Sequence, residues 1–296
     1  MNSPGSTSVE EILTQAAAVA GADATGAVPI RTGAHAIYKL RCGIIARIGK
    51  PGSMDAARRE LWVSRWLNES GIDTVEAASS LDQPIVVDDR PVTWWQLIPD
   101  HRPATPAELG EALQRLHSVA APTTFTLPEY DPFSGLLETI EFATTLDDGD
   151  RGWLTQHEQQ LRSRYQRLPA PRRHCVIHGD AWQGNLVVPP DGPPTFLDLD
   201  KISTGRPEWD LIQLAVDHSD FNRLTTADYQ SFVTAYGGTD MTATPDFRIF
   251  ADIQELRWTA FAITLSTRNP GAETEAAHRI ACLRGRIDKP WTWQAF

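Results

Sequence analysis

The spacing of apolar positions changes character near residue 99. From Val28 to Ile48 apolar and polar residues alternate, with a break at Thr32-Gly33-Ala34-His35-Ala36. The two halves, around Val28-Pro29-Ile30 and Ile37-Tyr38-Lys39-Leu40, predict a hairpin with a glycine-containing loop. The stretch Cys42 to Ile48, with Ile44, Ile45 and Ile48, predicts a third strand. A helical period follows: Val63, Trp66 and Leu67 form a stripe, Ser53 stands where a cap belongs, and Gly71 stops the pattern. Two further strands are predicted at Ile85-Val86-Val87 and from Val92 to Ile98, before Pro99 and Pro103 break the pattern. Five short strands and one helix make a small sheet-based lobe.

Beyond Pro99 the pattern is helical. Thr105-Pro106-Ala107-Glu108 is a capping box with proline at the first helical position, and Leu109, Leu113 and Leu116 supply the stripe behind it. Helical periods recur at about 134–145, 153–167, 207–218, 226–236, 246–265 and 271–285. One hairpin interrupts them, Leu186-Val187-Val188 returning through Phe196 to Leu199. The expected class is α+β, with a β-rich lobe over 1–98 and a larger helical lobe over 99–296.

With 296 residues, 41% of them hydrophobic, the chain has enough apolar material for a core without covalent staples. Cys42, Cys175 and Cys282 are scattered, giving neither a disulfide framework nor a zinc pattern, so free thiols in a reducing cytoplasm are expected. Met1 to Thr7 is polar and lacks the regions of a secretory signal, and no run approaches the ~18 apolar residues of a spanning helix. The expectation is a cytoplasmic protein without a membrane partner. A net charge of −11 opposes phosphate backbones and argues against nucleic acid. The same acidity suits a cationic small molecule, and equally serves solubility.

The chemistry concentrates in Val176-Ile177-His178-Gly179-Asp180-Ala181-Trp182-Gln183-Gly184-Asn185-Leu186 and Phe196-Leu197-Asp198-Leu199-Asp200. Phosphoryl transfer asks a protein for a carboxylate at the attacking hydroxyl, ligands for Mg²⁺, and groups that fix the phosphates. Asp180 follows a short apolar strand and Asn185 comes five residues later. Folding the hairpin back brings Asn185 and Asp198 to one end as oxygen ligands for a hard cation. Asp180 stands just before the loop, placed to meet a substrate hydroxyl.

His178-Gly179-Asp180-x₄-Asn185 with Asp198 resembles the catalytic and metal-binding motifs of the aminoglycoside phosphotransferase and choline kinase family. Gly205-Arg206-Pro207-Glu208-Trp209-Asp210-Leu211 resembles that family's Gly-Asp-Pro-x-x-Asp-Leu signature. The resemblance implies a protein-kinase-like bilobal fold, with Asp180 as catalytic base or hydroxyl-orienting residue and Asn185 and Asp198 holding Mg²⁺. Asp210 would brace the catalytic loop. Asp200 would touch a metal-bound water or stand as a solvated charge. Two positions depart from the pattern. Arg206 replaces an aspartate, and Arg47 stands where the third strand often supplies a phosphate-binding lysine. A guanidinium also clamps phosphate; Lys50 is the alternative. Glu60 in the next helix is placed to pair with Arg47, Gly33 to cover the phosphates, and backbone groups around Gln96 and Ile98 to read adenine at the lobe junction. His117 and His178 are expected to be scaffold rather than catalysts, and one of Trp94 and Trp95 to be core.

Only eleven residues separate Asp198 from Asp210, too few for a segment that docks a peptide, so the acceptor is expected to be a small molecule. The expected reaction uses ATP or GTP with Mg²⁺ on a hydroxyl of an amine-bearing acceptor such as an aminoglycoside or amino sugar, with no obligate protein partner. Its support lies in the acidic stretch 207–265, where Asp217, Asp220, Asp252 and Glu255 are offered to a cation and Trp258 to a sugar face. Alternatives are a kinase of a neutral sugar or amino alcohol and a catalytically silent nucleotide-binding module. A metal-dependent hydrolase lacks the second ligand cluster it needs.

Overall fold

The computed structural model describes residues 7–31, 35–171, 173–267 and 269–295. In chain order its elements are α1 (Val9–Ala20), β1 (Val28–Arg31), β2 (Ala36–Lys39), β3 (Ile44–Ile48), α2 (Met54–Glu69), β4 (Ile85–Val87), β5 (Arg90–Gln96) and β6 (Arg102–Pro103). There follow α3 (Pro106–Leu116), α4 (Leu136–Phe142), α5 (Asp148–Gln166), β7 (Cys175–Ile177), β8 (Leu186–Val188), β9 (Thr195–Phe196) and β10 (Ser203–Gly205). The chain ends with α6 (Glu208–Ser219), α7 (Thr226–Tyr236), α8 (Phe247–Ser266) and α9 (Pro270–Leu283). Two compact units result, one of residues 1–104 with 184–202, the other of 105–183 with 203–296.

The first unit is built on an antiparallel sheet of order β1-β2-β3-β5-β4. Its core face carries Tyr38, Ile44, Ala46, Ile48, Val92 and Trp94, all buried. Both Trp94 and Trp95 are core, where one was expected. Strand alternation turns Arg47 to the other face, because Ala46 and Ile48 on either side of it are buried.

Two helices accompany this sheet rather than the expected one. The additional helix, α1, starts with a capping box between Ser8 and Glu11, packs Ile12, Leu13, Ala16 and Ala17 into the sheet core, and ends at Gly21 in the left-handed region. At the head of α2, Ser53 makes no capping bond; its hydroxyl donates instead to the Lys50 carbonyl.

The unit also takes in the β8–β9 hairpin. β8 pairs with β6 on one side and β9 on the other, and the Phe196 N–H donates to the Asp73 carbonyl. These backbone bonds tie residues 184–202 to a unit whose other residues end at Ala104.

The second unit is mostly helical. The α3 capping box forms as expected, with Thr105 and Glu108 bonding reciprocally and Pro106 in the first turn. The α3 helix lies close against α7: a Cβ added at Gly110 would stand 2.6 Å from the Phe232 carbonyl oxygen, so only glycine allows this approach. The strands of this unit, β7 and β10, form a short antiparallel pair with Ile177 opposite Ser203. That pair sets where the chain leaves β7, and therefore where His178, Gly179 and Asp180 stand. No helix among the described residues is long and apolar enough to cross a membrane.

Candidate active site

In the second unit β7 is fully buried and runs directly into His178. The turn beyond it is held by one buried carboxylate. Asp210 Oδ2 accepts from the His178 N–H at 2.6 Å, and its Oδ1 accepts from the Gly179 N–H at 2.8 Å. Gly179 sits at φ 80°, a conformation that costs a side-chain-bearing residue roughly 1–2 kcal/mol. With both amides pinned, the position of the next residue, the half-buried Asp180, is set.

Asp210 is in turn fixed from below. His117 Nε2 meets its Oδ2 at 2.9 Å, and His117 Nδ1 meets the Tyr236 hydroxyl at 2.8 Å. Burial raises the Tyr236 phenol well above its usual range, so its proton stays in place to donate. His117, Asp210 and Tyr236 thus form a closed chain that ends on the backbone of the loop. This is an expensive arrangement to leave half-made, since a buried carboxylate is tolerated only when its acceptor sites are filled.

Arg206, the departure in the second signature, is engaged elsewhere: its Nη2 donates to the Pro169 carbonyl and its guanidinium lies 5.7 Å from the centre of the Tyr165 ring. It anchors the segment before β7 and leaves Asp210's bonds intact.

In the first unit the register Leu186 opposite Phe196, and the bond from the Leu197 N–H to the Asn185 carbonyl (2.9 Å), bring Asn185 and Asp198 to the same end of the β8–β9 hairpin. Asp198 adopts φ 53°, ψ 63°, the left-handed region that an aspartate tolerates better than most residues. Its carboxylate is 43% exposed, so it has room to take a ligand. One amide oxygen and one carboxylate are an all-oxygen donor set, which fits a hard divalent cation that completes its sphere with phosphates and water.

Arg47 donates through Nη1 to Glu60 Oε2, and its Nη2 lies 3.7 Å from Asp198 Oδ1. Glu60 is buried in α2, and burial pushes its carboxyl up to about 7; the Arg47 charge works against this, and Asp200 and Asp198 add to it. Lys50 is exposed at the end of β3 with no ion pair among the described residues. His35 stands nearby and was not singled out from sequence. Burial, then the Arg47 charge, push it down to about 4, so its ring is neutral, and its Nδ1 has no partner among the described residues.

Gly33 lies outside the described residues. At the other strand end the Gln96 N–H donates to the Glu76 carbonyl and the Leu97 N–H to the Gly43 carbonyl, while the Ile98 carbonyl meets His101 Nδ1 at 2.9 Å.

The residues expected to hold an amine are already matched with the protein's own cations. Asp217 pairs with Arg223 at 2.9 Å. Asp252 lies between Arg164 (3.0 Å) and Arg248 (2.6 Å). Glu255 meets Arg248 and Lys289, each at 3.2 Å. Asp220 takes Arg248 at 2.5 Å and Lys289 at 2.6 Å. Burial pushes Glu255 up to about 8, helped by its hydrogen bond to Asp220 and opposed by Arg248 and Lys289. Burial acts to raise Asp220 as well, but its bonds from Glu255, Lys289 and Arg248 outweigh that and hold it below the ordinary range. Trp258 packs edge-to-face on Phe221 at 5.7 Å, beside Trp293. Sequence distance hides only part of this: Asp252 and Arg164 are 88 positions apart and Asp220 and Lys289 are 69, whereas Arg248 and Asp252 are four apart and Asp217 and Arg223 six.

The model of the phosphotransferase enzyme family matches residues 28–248. Among solved structures, a choline/ethanolamine kinase family protein from Mesorhizobium loti aligns over 94% of each chain with a TM-score of 0.64 and 20% identity. An aminoglycoside phosphotransferase from Streptomyces rimosus aligns over 82% of this chain and 96% of its own, with a TM-score of 0.63 and 20% identity. An amicoumacin kinase, solved with AMP-PNP and Ca²⁺, aligns over 93% of each chain with a TM-score of 0.72 and 13% identity. No curated protein matches the sequence. The fold is therefore the expected α+β, protein-kinase-like one.

Proposed function

The chain belongs to the phosphotransferase enzyme family, and from that membership we propose that it is a small-molecule kinase, moving the γ-phosphoryl group of ATP or GTP onto an alcohol hydroxyl. The observation that carries this reading is the Asp210 carboxylate holding the N–H groups of His178 and Gly179, which fixes the turn that presents Asp180. A bare His-x-Asp needs no such brace. In the proposed step the acceptor oxygen attacks the γ-phosphorus, the bond to the β-phosphate oxygen breaks, and the nucleoside diphosphate leaves. The hydroxyl proton passes to the Asp180 carboxylate, which also aligns the hydroxyl.

Asn185 and Asp198 are the residues proposed to hold Mg²⁺, which when bound supplies charge neutralisation at the phosphates. That the amicoumacin kinase holds AMP-PNP and Ca²⁺ supports an adenine nucleotide with a divalent ion. Arg47, oriented by Glu60, takes the phosphate-clamping role, with Lys50 outside it. For a base edge, the stretch after β5 offers the Gln96 carbonyl and the Ile98 N–H, because the neighbouring N–H groups are used. These roles give residues 1–98 to the nucleotide and 99–296 to catalysis and the acceptor, with the 184–202 hairpin serving the metal.

An amine on the acceptor was the finer expectation. Names among the structural neighbours favour it, since one is an aminoglycoside phosphotransferase. The carboxylates chosen to bind that amine carry no spare charge, so they lend it no support. Acceptor-dependent, Mg²⁺-dependent release of nucleoside diphosphate, with a phosphorylated product seen by mass spectrometry, tests the kinase reading. Nucleotide binding with no turnover across a broad panel of alcohols would return the protein to a silent nucleotide-binding module.

A further inference from the structure

One half-buried cation of the second unit stands outside the ion pairs that link α6 and α8 to their neighbours. Asp220, Asp252 and Glu255, the last pushed up to about 8 by burial, are bonded to Arg164, Arg248 and Lys289, and Asp217 stands against Arg223. Arg257 has no such counterpart. It is half-buried on α8, and among the described residues its guanidinium makes one hydrogen bond, from Nη1 to the Tyr130 hydroxyl, and no ion pair. Several other half-buried or buried arginines of this unit are better supplied, Arg206 being the exception with one carbonyl and one ring face. Arg151 donates to four carbonyls, Arg279 to Glu275 and two carbonyls, and Arg284 to Asp150 and a carbonyl. A guanidinium has five N–H donors, so most of those on Arg257 are unused.

Its surroundings do not compensate the charge. Burial alone pulls the Arg257 guanidinium down to about 10, with no carboxylate opposing. The acidic residues of the same helix lie on a different side: Glu255 and Arg257, two positions apart, are about 200° apart around the axis at 3.6 residues per turn. Tyr130 gives the guanidinium a π-face, its ring centre 5.2 Å away, which attracts a cation but does not neutralise it. A poorly compensated charge of this kind in a folded protein is a mark of a binding site.

The position of the group says which site. The Tyr130 hydroxyl, accepting from Arg257, reaches the Gly179 carbonyl at 3.4 Å. Gly179 immediately precedes Asp180. Tyr130 is itself held in place, its N–H donating to the Thr204 carbonyl of β10, the strand paired with β7. The free donors of Arg257 are thus two hydrogen bonds from the catalytic loop, on the same rigid framework.

We propose that Arg257, positioned by Tyr130, binds an oxyanion on the acceptor, so that the molecule phosphorylated is an alcohol carrying a carboxylate or a phosphate group. This rests on the kinase reading for the transfer step, but the binding of the oxyanion does not. A planar guanidinium with free N–H groups takes either oxyanion in a bidentate fashion, which a lysine at this place would not.

The test is an acceptor panel with four arms: hydroxy acids such as glycerate and gluconate, phosphorylated polyols such as glycerol 3-phosphate, neutral polyols, and amino sugars. The expected result is nucleoside diphosphate release with one of the first two arms, which also identifies the oxyanion. Arg257→Gln should raise the KM of that acceptor ~10–100-fold, the worth of a hydrogen bond to a charged group, and leave the nucleotide KM unchanged. Arg257→Lys should fall between the two, and serves if the glutamine variant does not fold. Binding is read separately as the melting shift that the same compound produces in Asp180→Asn, a shift the added Arg257→Gln change should remove. A shift without any turnover by the wild-type protein leaves the oxyanion site standing and sinks the kinase reading. Turnover confined to neutral or amine-bearing alcohols, or an Arg257→Gln effect confined to the nucleotide KM, overturns the oxyanion site and leaves the kinase reading in place.

Discussion

Two sets of carboxylates in this protein are chemically alike and used in opposite ways. In the loop after β7 one buried aspartate, Asp210, is consumed entirely by the fold while Asp180 is half-buried, and on the β8–β9 hairpin Asp198 is 43% exposed beside Arg47. Along α6 and α8, Asp217, Asp220, Asp252 and Glu255 are each matched with arginine or lysine. The difference teaches that acidity in a sequence is not acidity at a surface. A carboxylate that keeps part of its surface exposed can take a ligand, whereas one spent on the protein's own cations serves stability.

The sharpest way to break this comparison is Asp180→Ala. It should leave folding and nucleotide binding intact and cut transfer by ~10²–10⁴, the usual worth of a positioned base. Turnover near the wild-type rate would put Asp180 in the same class as Asp217. Next is Asp198→Ala, which should remove the Mg²⁺-dependent part of a nucleotide-induced melting shift, with Asn185→Ala weakening it, because in the proposed site these two protein oxygens would hold the hard cation. An unchanged Mg²⁺ midpoint in Asp198→Ala would remove the hairpin from the metal site.

Arg47 tests the cationic side of the same site. Arg47→Ala should raise the nucleotide KM about 10-fold or more, as loss of a charge-assisted phosphate contact does, whereas Lys50→Ala should leave it alone. The reverse pattern would move the clamp to the end of β3.

Asp252→Asn belongs to the other set. It breaks contacts to Arg164 and Arg248, both roughly 40% exposed, so it should lower stability by about 1 kcal/mol without changing the acceptor KM. A large KM effect with unchanged stability would restore the acidic helices as the acceptor site.

How much of this was legible follows from the sequence distance of each contact. The β3 strand, the α3 capping box and the hairpin that joins Asn185 to Asp198 are set by neighbours within a few residues, or by a hairpin register, and periodicity reads both. The α1 helix is equally local, with its Ser8–Glu11 box and its Gly21 stop, but a run rich in alanine between polar termini gives little periodic contrast. The brace of Asp210 by His117 joins positions 93 apart, and the Tyr130–Arg257 contact joins positions 127 apart. No spacing rule reaches so far. Arg257 also carries no signal of its own, since one arginine in a helix is ordinary until its lack of a carboxylate is seen.

The smallest expected effect concerns Glu60, which stands between the two sets: a matched carboxylate that is part of the site. Its folded carboxyl is pushed up to about 7 from the ordinary 4.5, chiefly by burial. Between those values the folded protein keeps a proton that the unfolded chain has lost, so the contribution of Glu60 to stability falls as pH rises through that window. Ionisation nonetheless creates the charge that holds Arg47, so orientation of the clamp is gained over the same range. In wild-type protein the nucleotide KM should therefore improve as pH rises through about 7, at some expense of melting temperature. Glu60→Gln removes the titrating group and keeps its size. Compared at each pH with wild type, which cancels the titration of the nucleotide itself, the variant should show a flatter stability profile between about pH 5 and 7 and a nucleotide KM that no longer improves. If wild type and variant keep the same ratio of KM at every pH, Glu60 does not act through its charge, and the Arg47 clamp is set by packing alone.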